Sequence, residues 1–152
     1  MSTPNSSGAP FSDPELDAWH GLLTLYSRIM RELDRDLLAA HRISLREFDV
    51  LITLFNAPDR RLPMTGLAQR VLLSPSGLTR LVERLERAHL VERQNDTRDA
   101  RSFRTVLTDA GLQRLDEART THNAIIRGHF TDRLDKGELR KLGAIWRKVL
   151  TI

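Results

Sequence analysis

Residues 64–108 read MTGLAQRVLLSPSGLTRLVERLERAHLVERQNDTRDARSFRTVLT, and this run decides the fold. From Thr65, the residues Leu67, Ala68 and Val71 make one short apolar face, too brief to hold a helix without packing partners. Ser74-Pro75 then offers an N-cap residue followed by proline at the first helical position. Leu78, Leu81, Val82 and Leu85 recur at helical spacing on the next segment. Ser76, Thr79, Arg80, Glu83, Arg84 and Arg87 lie mainly on its other side. His89 to Arg93 reads as a strand, Asn95 to Arg101 as a polar loop and Ser102 to Leu107 as the returning strand. In that return, Phe103, Thr105 and Leu107 alternate with Ser102, Arg104 and Val106. Two short helices meeting at a turn, followed by a hairpin, form a winged helix-turn-helix pattern.

Long amphipathic helices flank this module. Asp13-Pro14-Glu15 reads as a helix start with Asp13 as its N-cap. Leu16, Trp19, Leu23, Tyr26, Met30, Leu33 and Leu37 follow at alternating steps of three and four, with Leu22, Ile29 and Leu38 widening the stripe to an end near residues 40–42. Ser44-Leu45-Arg46-Glu47 is a capping box for a second helix, with Phe48, Leu51, Ile52 and Phe55 expected on its buried side. Asn56 to Asp59 stops it, and residues 60–63 suit a very short strand. Thr108-Asp109 caps another long helix, whose inner face is expected to carry Leu112, Leu115, Ala118, His122, Ile125, Ile126, His129 and Phe130. Asp135 to Glu138 is a further capping box, after which Leu139, Leu142, Ile145, Trp146, Val149 and Leu150 run to the C-terminus. The expected fold is mainly α with a small β-hairpin wing. Residues 1–12 are expected to be a disordered tail and 13–152 a single domain. Its winged core would span about 44–108, between dimerisation helices at about 13–42 and 108–151.

Composition narrows the function classes. The chain has 152 residues and no cysteine, which excludes disulfides, thiol redox sensing and thiolate zinc sites. No apolar run approaches the roughly 20 residues that span a bilayer, so no membrane partner is expected. The opening residues lack the basic and apolar regions of a secretory signal, so the expected compartment is the cytoplasm. Net charge is +4, yet residues 60–105 alone hold ten Arg, no Lys and five acids, a local balance of +5. The excess positive charge therefore sits in the middle third, the footprint of a phosphate-backbone binder.

The chemistry of the middle run fits double-stranded DNA. An α-helix fits the major groove, where each base pair presents a distinct edge. Ser76 and Thr79 are small hydroxyl residues that approach bases closely. Arg80 and Arg84, one turn apart, share an exposed ridge, and each suits either a guanine or a phosphate. The open helix start from Ser74 to Gly77 favours a phosphate, and Gly77 permits close approach of the backbone. Thr65, opening the bracing helix, joins these candidate contacts. Arg98 and Arg101 at the hairpin tip suit a narrow minor groove, with Asp99 placed to hold Arg101 extended through an ion pair.

The residues Leu67-Ala68-Gln69-Arg70-Val71, the run Ser76 to Glu86, Leu90-Val91-Glu92-Arg93, the wing Asp96-x-Arg98-Asp99-x-Arg101 and the exit Leu107-Thr108-Asp109-Ala110-Gly111 together resemble the MarR family of winged helix-turn-helix transcriptional regulators. The likeness extends more weakly over the rest of the chain after residue 12. It implies a homodimer whose first and last two helices interleave, here through Leu16, Trp19, Leu23, Ile126, Phe130, Leu142, Trp146 and Val149. It also implies a transcription factor, expected as a repressor, on a pseudo-palindromic operator, released by a small phenolic or anionic effector. By motif match, Asp99 and Arg101 fall on the family's wing acid and minor-groove arginine. Peroxide- and redox-sensing members use a cysteine, which this chain lacks.

Blander readings attach to the same residues. Arg80 and Arg84 suit a solvated face salt-bridged to Glu83 and Glu86. Arg98 and Arg101 suit a loop kept soluble by charge. A protein-interaction module that has lost DNA reading is the alternative without nucleic acid, though such modules commonly lack a basic recognition face. His122 and His129 share a helix face two turns apart, about 10 Å along the axis, whereas two histidines sharing a metal on one helix stand about one turn apart. A zinc site completed by His20 or His41 is the metal alternative, and the expectation is no metal and no cofactor. There is no phosphate-binding glycine loop, HExxH or GxSxG, so no enzyme is expected.

Overall fold

A computed structural model describes residues 10–97 and 102–151. In chain order these are α1 (Asp13–His41), α2 (Leu45–Phe55), β1 (Arg61–Pro63), α3 (Met64–Val71), α4 (Pro75–Arg87), β2 (Val91–Asn95), β3 (Phe103–Leu107), α5 (Asp109–His129) and α6 (Lys136–Leu150), with single 3-10 turns at Pro58–Arg60 and Thr131–Arg133. The fold is mostly helical, with one small antiparallel sheet in the order β1-β3-β2. Of the expected tail, residues 1–9 lie outside the described residues.

The N-cap of α1 is Ser12 rather than Asp13. The Ser12 N–H donates to the Glu15 carboxylate at 2.8 Å, so the acid three residues on selects the cap, and Pro14 moves to the second helical position. Only the second half of the apolar stripe is buried within the chain, at Ile29, Leu33 and Leu37. Toward the N-terminus, Trp19 is 52% exposed and Tyr26 61%. A stripe of this length with half its face open lacks a covering element within the described residues.

The α2 helix is more enclosed than its expected face suggests. Phe48 and Leu51 are buried as read, but so are Val50 and Leu54, while Ile52 and Phe55 are half-buried. It is packed by α1, α3 and α5 together, so a one-sided pattern understates its burial. The core then runs through Leu67 of α3, Leu78, Val82 and Leu85 of α4, Val91 of β2, Leu107 of β3, and Leu115 and Ala118 of α5.

The helix-to-wing transition differs from the sequence expectation. His89 adopts a left-handed conformation (φ 59°), and the Leu90 N–H returns to the Leu85 carbonyl at 2.9 Å. These residues end α4 in a reversed turn, so the strand begins at Val91, and Asn95 belongs to it rather than to the loop. β3 starts at Phe103. It pairs on both sides, with Thr105 opposite Leu62 and Arg93. Thr105 and Leu107 are buried as their alternation predicts, but Phe103 is 44% exposed, because the sheet ends beside it.

At the exit, Thr108 caps α5 by accepting the Gly111 N–H at 3.0 Å and donates its hydroxyl proton to the His89 carbonyl at 2.7 Å. The turn that ends α4 is thereby tied to the first turn of a 21-residue helix. Asp135 caps α6 through two backbone N–H groups, at 2.6 and 2.8 Å. No residue of this 15-residue helix is fully buried.

Candidate nucleic-acid interface

The two-faced pattern of α4 determines the candidate surface. Leu78, Leu81, Val82 and Leu85 fix its underside in the core, which leaves Ser76, Thr79, Arg80, Glu83 and Arg84 exposed on the other face. Burying four such side chains contributes on the order of 6–12 kcal/mol before entropic costs, enough to set the rotation of the helix about its axis.

At the helix start, the Ser74 hydroxyl accepts the Gly77 N–H at 3.2 Å and lies 3.4 Å from the Ser76 hydroxyl. A Cβ at Gly77 would stand 3.1 Å from that Ser74 oxygen, so glycine there also leaves room for the cap. The Thr79 hydroxyl donates to the Pro75 carbonyl at 2.9 Å. Its proton is therefore spent on the helix, and its methyl and oxygen lone pairs are what it offers outward. Thr65 is exposed on the first turn of α3. It lines a cleft of about 210 Å³ with Pro75, Thr79, Arg93 and Phe103.

The two arginines of the ridge differ. Arg80 is exposed and pairs with no carboxylate among the described residues. Arg84 Nε lies 3.1 Å from Glu47 Oε1 at the start of α2. The bland reading paired them with Glu83 and Glu86, but those acids face Arg93 of β2, at 3.7 and 3.2 Å. Arg93 thus links β2 to α4 by charge proximity, without a hydrogen bond to a described residue from its buried Nε and Nη2, and both acids stay partly exposed.

Arg98, Asp99 and Arg101, the expected wing contacts, lie outside the described residues. On the described strands, Arg104 Nε reaches Asp96 Oδ2 at 3.2 Å and the Asp96 N–H donates to the Ser102 carbonyl at 2.9 Å, which joins the ends of the hairpin stalk. Glu47, Arg93, Asp96 and Arg104 were not singled out as site residues in the sequence. Glu47 carries a signal as the capping-box acid, which points to its own helix, and Arg93 and Asp96 carry one only as members of the matched motifs.

Five of the eight candidate dimerisation residues share a second surface. Trp19 of α1, Phe130 after α5, and Leu142, Trp146 and Val149 of α6 line one apolar groove of about 830 Å³. Leu16 and Ile126 are half-buried, and Leu23 is 42% exposed. Three of the five histidines have local side-chain partners. His122 stacks on Phe48 with ring centres 4.5 Å apart, His129 Nε2 meets Glu32 Oε2 at 2.6 Å, and His41 Nε2 lies 2.7 Å from the Thr121 hydroxyl. Among the described residues no group of three His, Cys, Asp or Glu is arranged to hold a metal ion. Nor is any described helix long and apolar enough to cross a membrane.

The sequence pattern of the MarR family matches residues 43–103, from two residues before α2 to the first residue of β3. An HTH-type transcriptional repressor from Bacillus subtilis, YetL, is 31% identical over 105 residues, which cover 69% of this chain and 59% of that repressor. The chain thus spans about three fifths of that relative's length. Two solved structures from Streptomyces coelicolor align over nearly the whole fold. AbsC, a MarR family transcriptional regulator, is 28% identical with a TM-score of 0.85, covering 94% of this chain and 96% of its own. Sco3205, a MarR family regulator solved in complex with DNA, is 29% identical with a TM-score of 0.86, covering 96% and 91%.

Proposed function

We propose that the chain is a member of the MarR family, whose pattern it matches over residues 43–103 and whose solved members share its fold, and that it is a sequence-specific DNA-binding transcriptional regulator acting as a homodimer. The observation that carries this reading is the exposed α4 face, where Ser76, Thr79, Arg80 and Arg84 stand on a helix whose rotation is fixed by four buried side chains. Each recognition helix enters a major groove, with Ser74, Gly77 and Thr65 near the phosphate backbone and the wing residues Arg98, Asp99 and Arg101 at the adjacent minor groove. Residues of about 44–108 form the reading module, and those of about 13–42 and 108–151 the dimerisation region.

The second copy is supported by the open apolar groove between α1 and α6. An isolated helix of α6's length is marginal in water, and its apolar residues are only half-buried or exposed. The exposed Trp19, Tyr26, Ile145 and Val149 together suit a partner's helices rather than solvent. Symmetry then makes the operator a pseudo-palindrome with half-sites about 34 Å apart. The regulator works in the cytoplasm as a repressor, as YetL is described. It lets go of DNA when a small phenolic or anionic effector binds.

Selection of bound sites from random duplexes tests this reading. A two-fold symmetric site is expected, bound with an affinity that falls steeply as salt rises. Absence of salt-sensitive binding to any selected duplex would overturn it.

A further inference from the structure

Glu47 stands at a junction that neither its own helix nor the recognition helix explains alone. One carboxylate oxygen, Oε2, accepts the Ser44 N–H at 2.8 Å, and the Glu47 N–H is held in return by the Ser44 hydroxyl at 3.1 Å. Its other oxygen, Oε1, receives Arg84 Nε at 3.1 Å, across 37 residues of chain. The Glu47 side chain is 12% exposed and anchored at both oxygens, whereas Arg84 is 54% exposed. The acid is the fixed member of the pair and the arginine the guided one.

A guanidinium carries five N–H donors in a rigid planar fork. With Nε committed to Glu47, the four Nη donors of Arg84 are held in a plane set by α2. Arg80, one turn earlier, has no such guide among the described residues. A freely rotating arginine samples several poses and rewards any nearby phosphate. One held in a single plane rewards only a nucleic acid whose acceptors match that plane.

We propose that Glu47 is a positioning residue for DNA reading: it orients Arg84 so that this arginine contributes sequence preference, not only charge. This rests on the reading of the protein as a DNA-binding regulator. It separates the two arginines of the ridge by mechanism, with Arg84 preorganised from α2 and Arg80 adapting to the duplex.

The role is unusual in sign, because Glu47 is an acid beside a polyanion. If its charge were all that mattered, removing it would strengthen binding to every duplex alike. A positioning role predicts that specific and random binding respond differently. The test uses the full chain, its selected site and a shuffled duplex of the same composition, over a range of salt. Glu47→Gln retains a side chain able to cap α2 at the same position, so the fold is kept. For this variant, binding to the shuffled duplex is expected to stay equal or tighten. Binding to the selected site weakens, so the ratio falls about five- to tenfold, within the range of one lost base or phosphate geometry. Arg84→Lys, which keeps the charge and loses the planar fork, is expected to lower the ratio similarly. The double variant should then be no worse than either single one.

An equal rise in affinity for both duplexes, or an unchanged ratio in Glu47→Gln, overturns the positioning role and leaves the regulator reading standing. Failure of the unmodified protein to prefer its selected site over the shuffled one overturns both. Because Arg84 is exposed, its lysine variant reports even if Glu47→Gln fails to fold. A lysine variant with unchanged preference also counts against the proposal.

Discussion

A Cβ placed on Gly111 would collide with the carbonyl oxygen of Leu90, a backbone atom that cannot step aside. That oxygen also accepts the Thr108 N–H at 3.2 Å, so the entry to β2 and the first turn of α5 meet without a side chain between them. Gly111→Ala is therefore expected to cost about 1–3 kcal/mol, as overpacking does. Gly128 provides the contrast, because a Cβ there meets nothing within 4 Å. Gly128→Ala is expected to be neutral or stabilising by up to about 1 kcal/mol, from helix propensity alone. Urea unfolding of the two variants side by side distinguishes a glycine required by contact from one merely tolerated.

The groove between α1 and α6 predicts a change of oligomeric state. Ile145→Glu with Val149→Glu places two acids on side chains that are 51% and 63% exposed in one copy. A monomer should fold around them, while a dimer should not form. Sedimentation velocity is expected to show dissociation at micromolar concentration. Operator affinity should then fall by at least tenfold, because two half-sites would no longer be held together. A variant that stays dimeric would place the interface elsewhere.

The helix and wing arginines should separate in a salt titration. Arg80→Ala is expected to lose part of the discrimination between operator and random duplex. Arg101→Ala should weaken operator binding, most strongly on sites with a narrow A·T-rich minor groove beside the recognition-helix contacts. A phosphate-contacting arginine reduces the slope of log affinity against log salt by about one. Equal loss on all duplexes with no change in slope would remove either residue from the interface.

Asp135 holds two N–H groups at the start of a helix that has no fully buried residue. Asp135→Ala is expected to cost about 0.5–2 kcal/mol. In the proposed pair this loss should grow on dilution, because α6 depends on the second copy for its packing. Thermal melts at two concentrations a hundredfold apart check this.

The parts of the fold that were legible from sequence are those governed by local periodicity. The buried face of α4 follows directly from the spacing of Leu78, Leu81, Val82 and Leu85, and Ser74 and Thr108 cap the helices that their positions suggest. What escaped was set by distant neighbours. Val50 and Leu54 are buried because α2 has company on several sides, which no pattern within α2 records. Ser12 displaces Asp13 as a cap because Glu15 can reach it, a choice between two good candidates one residue apart. His89 ends α4 in a left-handed turn more typical of glycine or asparagine, so its sequence reads as strand. In the candidate site, the exposed ridge was readable but its partners were not. Spacing along the chain favours Glu83 and Glu86 for Arg80 and Arg84, whereas folding gives those acids to Arg93 and brings Glu47 to Arg84.

Thr108 fastens the turn between α4 and the hairpin to the first turn of α5, and α5 then runs unbroken for 21 residues to His129. A rod of that length is about 32 Å, so tilting it by about 5° swings its far end by about 3 Å. In a symmetric pair the two rods swing oppositely, and the reading heads would move apart or together by about twice that distance. The fixed pitch of DNA tolerates little such error. A small molecule wedged near the α1–α5 contact would need no path to α4: leverage alone would put the two heads out of step with the grooves.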